Sequence, residues 1–149
     1  VSIRMDVTNL EEVNDVSNRI ISNFGKVKYL INNAAIDSKV DKHGKISDSH
    51  IERFTIERWN SEISVGLTGA FICSKIFGAS MASNNSGVII NIASDLSVIA
   101  PDHRIYGQGE QLEFISDYPV KPITYSVIKT GFLTLVLSNE RGRCTAGRL

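Results

Sequence analysis

The sequence predicts an α/β protein with a doubly wound parallel sheet, in which helices cover both faces of the sheet. Two observations indicate this class. Short apolar runs typical of strands alternate along the chain with longer stretches of helical period. Polar residues also follow each apolar run, and ligands of parallel sheets bind beyond the carboxyl ends of the strands. We therefore expect these polar strand ends to share one crevice.

The first strand, helix and second strand are predicted within residues 1–35. The opening stretch "VSIRMDV" alternates apolar and polar side chains, as a half-buried strand does. Thr8 is expected to cap the helix that follows, with Glu11 completing a capping box. Gly25 is expected to end this helix in the left-handed conformation. The short apolar run "VKYLINNAA", residues 27–35, is then the second strand.

The middle of the chain is predicted to supply one long helix and one further strand. Residues 37–53 are polar and are expected to form a loop. Thr55 can cap a helix over residues 56–82. The run "VIINIAS", residues 88–94, has the composition of a buried strand. Residues 100–122 contain prolines and glycines and are expected to be irregular.

The last predicted helix, residues 123–139, carries a tyrosine and a lysine four positions apart. Tyr125 and Lys129 therefore lie on one helix face. An ammonium group beside a phenol favours the phenolate, which makes a proton donor and acceptor usable near neutral pH. Such a pair also arises by chance, so on its own it does not distinguish a catalytic pair from two neighbours on a helix.

The composition is that of an ordinary globular domain, with 42% hydrophobic and 21% charged residues and zero formal net charge. A neutral chain gives no indication of a nucleic-acid partner. No apolar run reaches the roughly 20 residues that span a bilayer, and no signal peptide or membrane partner is expected. Cys73 and Cys144 make no disulfide framework, which favours the cytoplasm. The histidines lack metal-ligand spacing, so no metal site is expected.

Four motifs in order resemble the short-chain dehydrogenase/reductase family over residues 1 to about 136. "MDVTN" resembles the Asp-Val pair that ends the family's third strand, and "NNAA" resembles its Asn-Asn-Ala-Gly turn. "GVIINIAS" resembles the strand that ends at the catalytic serine, and "YSVIK" is the pattern Tyr-x-x-x-Lys. Each match is weak alone, but their order and positions agree with the predicted elements. The resemblance implies that residues 1–149 are the middle portion of a Rossmann-type NAD(P)-binding domain that lacks the Gly-rich turn.

The resemblance also implies a function. Tyr125 would be the general acid/base, Lys129 would assist it and bind the nicotinamide ribose, and Ser94 would orient the substrate oxygen. The protein would interconvert an alcohol and a ketone on a small molecule, as a homodimer or homotetramer. The family members with the most similar motifs act in surface polysaccharide biosynthesis, which points to a sugar or sugar nucleotide. The implied residues that bind NAD or NADP are Asp6, Val7, Asn33, Ala34, Tyr125 and Lys129.

Two positions depart from the expected pattern. Tyr106 lies at the usual family distance from Ser94, but Glu110 rather than lysine follows it by four residues, so Tyr125 is preferred. Gly66 stands where the family has an asparagine that anchors a water of the proton relay, and Gly66→Asn is therefore expected to raise kcat. With the missing Gly-rich turn, these departures keep a second hypothesis open. The chain could be a non-enzymatic, truncated remnant that keeps the fold but binds no cofactor.

Overall fold

The computed structural model of the chain describes residues 1–36, 49–103 and 120–135. Two strands, β1 (Tyr29–Asn32) and β2 (Val88–Asn91), pair in parallel. Helices precede β1, connect the two strands and follow β2. A parallel strand pair joined by a helix is the unit of an α/β sheet, so the predicted fold class is confirmed.

Helix α1 (Leu10–Phe24) follows the first residues of the chain. The side chain of Asn9 caps it by accepting two backbone N–H groups of the first turn, at 3.1 and 3.2 Å. The prediction that Thr8 is the cap is wrong, because the helix begins at Leu10 and Asn9 therefore occupies the cap position. The Thr8 hydroxyl instead donates to Oδ1 of Asp6 at 2.8 Å. The capping box predicted with Glu11 is therefore absent.

The end of α1 is as predicted, whereas the strand predicted before it is not formed. Gly25 has a φ of 80° and donates its N–H to the carbonyl of Ile21 at 2.9 Å, which ends the helix. Residues 1–7 form no strand. A strand is stabilised by the ladder of a neighbour, and β1 and β2 are the strands of the sheet within the described ranges.

The long helix after β1 is interrupted by a π-helical turn. Helix α2 (Ile56–Ile63) begins at the predicted cap, where Oγ1 of Thr55 accepts the N–H of Arg58 at 3.2 Å. A π-helical turn (Ser64–Thr68) follows, and α3 (Gly69–Ser83) continues the same helix. Such turns inside α-helices often accompany functional sites.

The last described helix is α4 (Ile123–Thr134), which begins where the sequence predicts. Its predicted extension to residue 139, and with it Cys144, lies outside the described residues. The same holds for most of the two predicted loops, since the structure describes neither residues 37–48 nor 104–119. Tyr106 and Glu110 are therefore not placed.

One face of the two-stranded sheet is covered by helices and the other is exposed. Leu30 packs into a core between α1 and α3, while Tyr29 and Ile31 on the opposite face are 69% and 59% exposed. Val88 and Ile90 on that face are also more than 40% exposed. The expectation of a buried strand at residues 88–94 is therefore wrong for the described part of the chain. Its helices contact the strands from one side.

Two clusters of buried side chains hold the helices together. The first lies between α1 and α3, and the second lies between α3 and α4. Among the described residues, Ile56–Ser83 is the one helix long and apolar enough to cross a membrane, contrary to the expectation from the sequence. A core helix meets the same criterion, and this helix contributes to both clusters. The buried members are Val13, Ile72, Cys73 and Phe77 in the first cluster and Ala70, Ile128 and Phe132 in the second.

Candidate active site

The carboxyl ends of β1 and β2 lie side by side and are joined by an asparagine pair. Asn32 and Asn91 are opposite one another in register, and Nδ2 of Asn32 donates to Oδ1 of Asn91 at 2.8 Å. The same amide donates to Oγ of Ser74 on α3 at 3.0 Å. Asn33 and Ala34 follow directly and are exposed. Sequence reasoning missed this pair, of which Asn32 is buried, although an asparagine at the last position of both strands was a visible signal.

Ser94 lies three residues beyond β2, at the start of a 3₁₀ turn (Asp95–Ser97). Its hydroxyl donates to Oδ1 of Asp95 at 2.8 Å and accepts the N–H of Leu96 at 3.3 Å. Its own N–H donates to Oγ of Ser97 at 3.2 Å. The Ser94 hydroxyl and the Leu96 N–H hold the pKa of the Asp95 carboxyl below its ordinary value. The turn therefore fixes the position of the serine oxygen.

Tyr125 and Lys129 lie on one face of α4, as their spacing predicts. The Lys129 ammonium is 5.6 Å from the centroid of the Tyr125 ring, and it donates to the carbonyl of Ile92 at 2.5 Å. A second ammonium, that of Lys121, is 4.7 Å from the same ring centroid. Two cations thus lie near the ring. Lys121 was not singled out from the sequence, although it precedes Tyr125 by the same four positions.

Helix α4 is attached directly to the segment that carries Ser94. Lys129 bonds to Ile92, two residues before Ser94, and the Thr130 hydroxyl donates to the carbonyl of Ser97 at 2.9 Å. These bonds attach α4 on both sides of Ser94 in the sequence. The structure therefore brings the serine turn and the tyrosine–lysine face together.

The segment of Asp6 and Val7 is held against the start of α3. Oδ1 of Asp6 accepts the backbone N–H of Thr8 at 2.9 Å and the Thr8 hydroxyl at 2.8 Å, and these bonds lower the pKa of the Asp6 carboxyl. A Cβ on Gly69 would lie 2.6 Å from Cγ2 of Val7, so the glycine permits this approach. Asp6 is exposed and presents its carboxylate to solvent.

Gly66 is buried in the π-helical turn and packs against α4. A Cβ at this position would lie 2.7 Å from Cδ1 and 3.0 Å from Cγ2 of Ile128. Ile128 is itself 8% exposed and immediately precedes Lys129. The glycine therefore allows the helix with the tyrosine–lysine face to approach closely, which the sequence alone did not indicate.

No group of three His, Cys, Asp or Glu side chains that could hold a metal ion occurs in residues 1–36, 49–103 and 120–135. The only cysteine in these ranges, Cys73, is a buried free thiol whose pKa is raised by burial.

Comparison with known proteins identifies relatives over most of the chain. The model of the family described as short chain dehydrogenase matches residues 1–106. The 3-oxoacyl-(acyl-carrier-protein) reductase FabG of Buchnera aphidicola subsp. Baizongia pistaciae is 33% identical over 147 residues, which are 94% of this chain and 56% of that protein. The NADP-dependent mannitol dehydrogenase of Alternaria alternata is 30% identical over 123 residues, 81% of this chain and 37% of that protein. The chain thus spans about half the length, or less, of these relatives.

Solved structures have the same fold. The NADP-bound structure of ElxO superposes with a TM-score of 0.66 at 24% identity, covering 90% of this chain and 44% of that one. The NAD⁺-bound xylitol dehydrogenase has a TM-score of 0.66 at 22% identity, covering 90% of this chain and 42% of that one. At this identity the likeness shows the fold alone, and it confirms the expected Rossmann-type arrangement.

Proposed function

Because the chain belongs to the short-chain dehydrogenase family, we propose that the full-length protein is an NAD(P)-dependent oxidoreductase that interconverts an alcohol and a ketone. Residues 1–149 would form part of its dinucleotide-binding domain. The observation that carries the proposal is the double attachment of α4 to the serine turn, through Lys129 to Ile92 and Thr130 to Ser97. This attachment supports a shared site for the three candidate catalytic side chains, Ser94, Tyr125 and Lys129.

The described residues fit a nicotinamide dinucleotide, NAD or NADP, at two points. A lysine ammonium has three N–H groups, and Lys129 uses one on Ile92, which leaves two that can bind ribose hydroxyls. Asp6, with the N–H of Val7, offers a carboxylate and a donor to an adenine ring, and the exposed Asn33 and Ala34 follow the neighbouring strand. When bound, the cofactor supplies the hydride chemistry, and the protein supplies binding and orientation.

We assign to Tyr125 the transfer of the proton to or from the substrate oxygen. Two ammonium groups, those of Lys121 and Lys129, lie near its ring, and Lys129 is fixed by the Ile92 carbonyl. Ser94 orients the substrate oxygen. A hydroxyl has one proton and two lone pairs, so while Ser94 donates to Asp95 it can accept from a substrate alcohol. To donate to a ketone, it must leave the Asp95 carboxylate.

The substrate class we propose is a polyhydroxylated small molecule such as a sugar or sugar nucleotide, used in surface polysaccharide biosynthesis. Relatives named as mannitol and glycerol dehydrogenases support the polyol chemistry, whereas the relative named as an acyl-carrier-protein reductase supports a different substrate. We place the enzyme in the cytoplasm. We propose a homodimer or homotetramer in which an apolar groove between α3 and α4 is covered by a second copy. The groove is lined by Leu67 in the π-helical turn, Phe71 on α3 and Leu135 at the end of α4.

A non-enzymatic remnant is the second candidate. Gly66 occupies the position of the family's relay asparagine, and Ile128 fills the space beside it. The Ser94 hydroxyl is also committed to Asp95. Both observations favour a chain that keeps the fold of its relatives without their chemistry.

A cofactor titration distinguishes the two candidates. We expect NADH or NADPH fluorescence to change saturably on binding to the full-length protein, and mannitol or glycerol to be oxidised with NAD⁺ or NADP⁺. Lys129→Met should weaken binding and abolish turnover, whereas Lys26→Met, at an exposed site beyond α1, should do neither. A folded full-length protein that binds neither cofactor would contradict the enzyme and support the remnant.

A further inference from the structure

A buried polar network joins α2 to the first turn of α4. Glu62, in the last turn of α2, is 5% exposed. Its Oε1 accepts from Nε of Arg58 at 2.7 Å, and its Oε2 accepts the hydroxyl of Thr124, which is 0% exposed. Carboxylates are rarely buried to this degree unless they are paired. The carboxylate therefore has partners on two different helices.

The Arg58 side of the network is itself held in place. The guanidinium lies over the Phe54 ring, 4.7 Å from its centroid, and Nη2 donates to Oγ of the buried Ser49 at 3.4 Å. Arg58 and Glu62 are four residues apart on one helix face, which fixes their geometry. The carboxylate is thus held within α2 independently of its contact with α4.

The first turn of α4 has no side-chain cap of its own. Pro122 occupies the cap position without a side-chain hydrogen bond, and the Tyr125 N–H donates to the Pro122 carbonyl at 3.0 Å. A negative charge near the start of a helix interacts favourably with the helix dipole. Glu62 supplies that charge from another helix, together with a hydrogen bond to the residue before Tyr125.

We propose that Glu62, acting through Thr124, is a positioning residue for Tyr125; this rests on the role proposed for Tyr125 above. Two further hydrogen bonds that attach α4, from Lys129 and Thr130, and its core contacts through Ile128 and Phe132 lie about one turn later or more. The first turn of α4 is therefore oriented by the bond between Glu62 and Thr124. Its loss leaves the helix attached but lets the phenol shift relative to Ser94.

Three variants separate the hydroxyl, the charge and the shape. Thr124→Val keeps the shape and removes the hydroxyl, Thr124→Ser keeps the hydroxyl, and Glu62→Gln keeps the shape and removes the charge. The matched control is Ile72→Val in the core between α1 and α3, which destabilises the fold without touching α4.

The first measurement reports the position of Tyr125 without requiring activity. The chain has four tyrosines, and in full-length protein labelled with fluorotyrosine the ¹⁹F resonance of Tyr125 is assigned by its absence in Tyr125→Phe. We expect it to shift or broaden in Thr124→Val and Glu62→Gln, and to match the unaltered protein in Thr124→Ser and Ile72→Val. An unchanged resonance in folded Thr124→Val would overturn the proposal.

The second measurement is turnover of the same proteins. In Thr124→Val we expect kcat to fall about ten- to a hundredfold, as for a misplaced reacting group, with the KM for the cofactor unchanged and with recovery in Thr124→Ser. A shifted resonance with unchanged kcat would overturn the positioning role. If the unaltered protein shows no turnover, the proposed function fails, and the ¹⁹F measurement alone decides whether Glu62 orients Tyr125.

Discussion

Gly66 lies so close to Ile128 that a methyl group on the glycine would overlap the isoleucine side chain. The added Cβ would be 2.7 Å from Cδ1, 3.0 Å from Cγ2 and 3.2 Å from Cγ1. Because Ile128 is buried, its side chain has little space to turn away. We therefore predict that Gly66→Ala destabilises the full-length protein.

The magnitude follows from two opposing contributions. Overpacking a core costs about 1–3 kcal/mol, and alanine gains up to about 1 kcal/mol over glycine in a helix. The free energy of unfolding should therefore fall by about 1 kcal/mol in Gly66→Ala. Ile128→Val alone should cost about 0.5–1.5 kcal/mol. It removes Cδ1, the atom nearest the new methyl group, so the double variant should lose less stability than the sum.

Urea unfolding of the two single variants and the double variant measures this coupling, which should be about 0.5 kcal/mol or more. Ile72→Val provides the control, because it lies in the other core cluster and should be additive with Gly66→Ala. Additivity of Gly66→Ala and Ile128→Val would refute the packing argument. The same contact reverses the expectation drawn from the sequence, since Gly66→Asn should now lower stability and leave kcat no higher.

Three further predictions concern association, the isolated chain and acid. Phe71 is 48% exposed in the groove between α3 and α4 and should be covered in the oligomer. Light scattering should therefore show a dimer or tetramer for the full-length protein and a monomer for Phe71→Glu. A monomeric unaltered protein would contradict this prediction. Residues 1–149 expressed alone should aggregate or unfold partly and bind no dinucleotide. Among the described residues β1 has one neighbouring strand rather than two, and the sheet exposes an apolar face. A soluble monomer with a cooperative thermal transition would refute this prediction. The Thr8 N–H and hydroxyl lower the pKa of the Asp6 carboxyl, so the ionised carboxylate stabilises the turn of residues 6–8 above the ordinary pKa of an aspartate, and this stabilisation is lost as pH falls through the lowered pKa. An NMR titration should show the Thr8 amide resonance shifting as pH falls through the lowered pKa, and Asp6→Asn should abolish that change.

The local features of the fold could be predicted from sequence because short-range chemistry determines them. Thr55 caps its helix, Gly25 ends α1, and Tyr125 and Lys129 share a face, since each depends on residues within one helical turn. Thr8 failed as a cap because the helix begins one residue later, where the side chain of Asn9 accepts the N–H groups of the first turn. Two acceptors within one turn compete, and the sequence does not rank them.

The long-range features could not be predicted in the same way. The Thr124 hydroxyl donates to Glu62, which is 62 positions away in the sequence, and both residues are buried. Their contact depends on how α2 and α4 pack in the fold, which local sequence does not determine. Gly66 was interpreted as the loss of a relay side chain, whereas the structure gives it a packing contact with Ile128. Neither contact leaves a periodic pattern in the chain. The motifs identified the family correctly because members of one family share a fold, so that recognising the family also implies which distant segments of the chain lie together.

The central claim is that Tyr125 transfers the proton in a dinucleotide-dependent reaction. Tyr125→Phe removes one hydroxyl and keeps the ring near Lys121 and Lys129. In the full-length protein we expect kcat to fall about 10²–10⁴-fold, because proton transfer by a positioned group is lost, while the dissociation constant for NADH or NADPH stays the same. Tyr106→Phe is the matched control and should keep most of the activity. If Tyr106→Phe abolishes turnover and Tyr125→Phe does not, the assignment of the site is wrong.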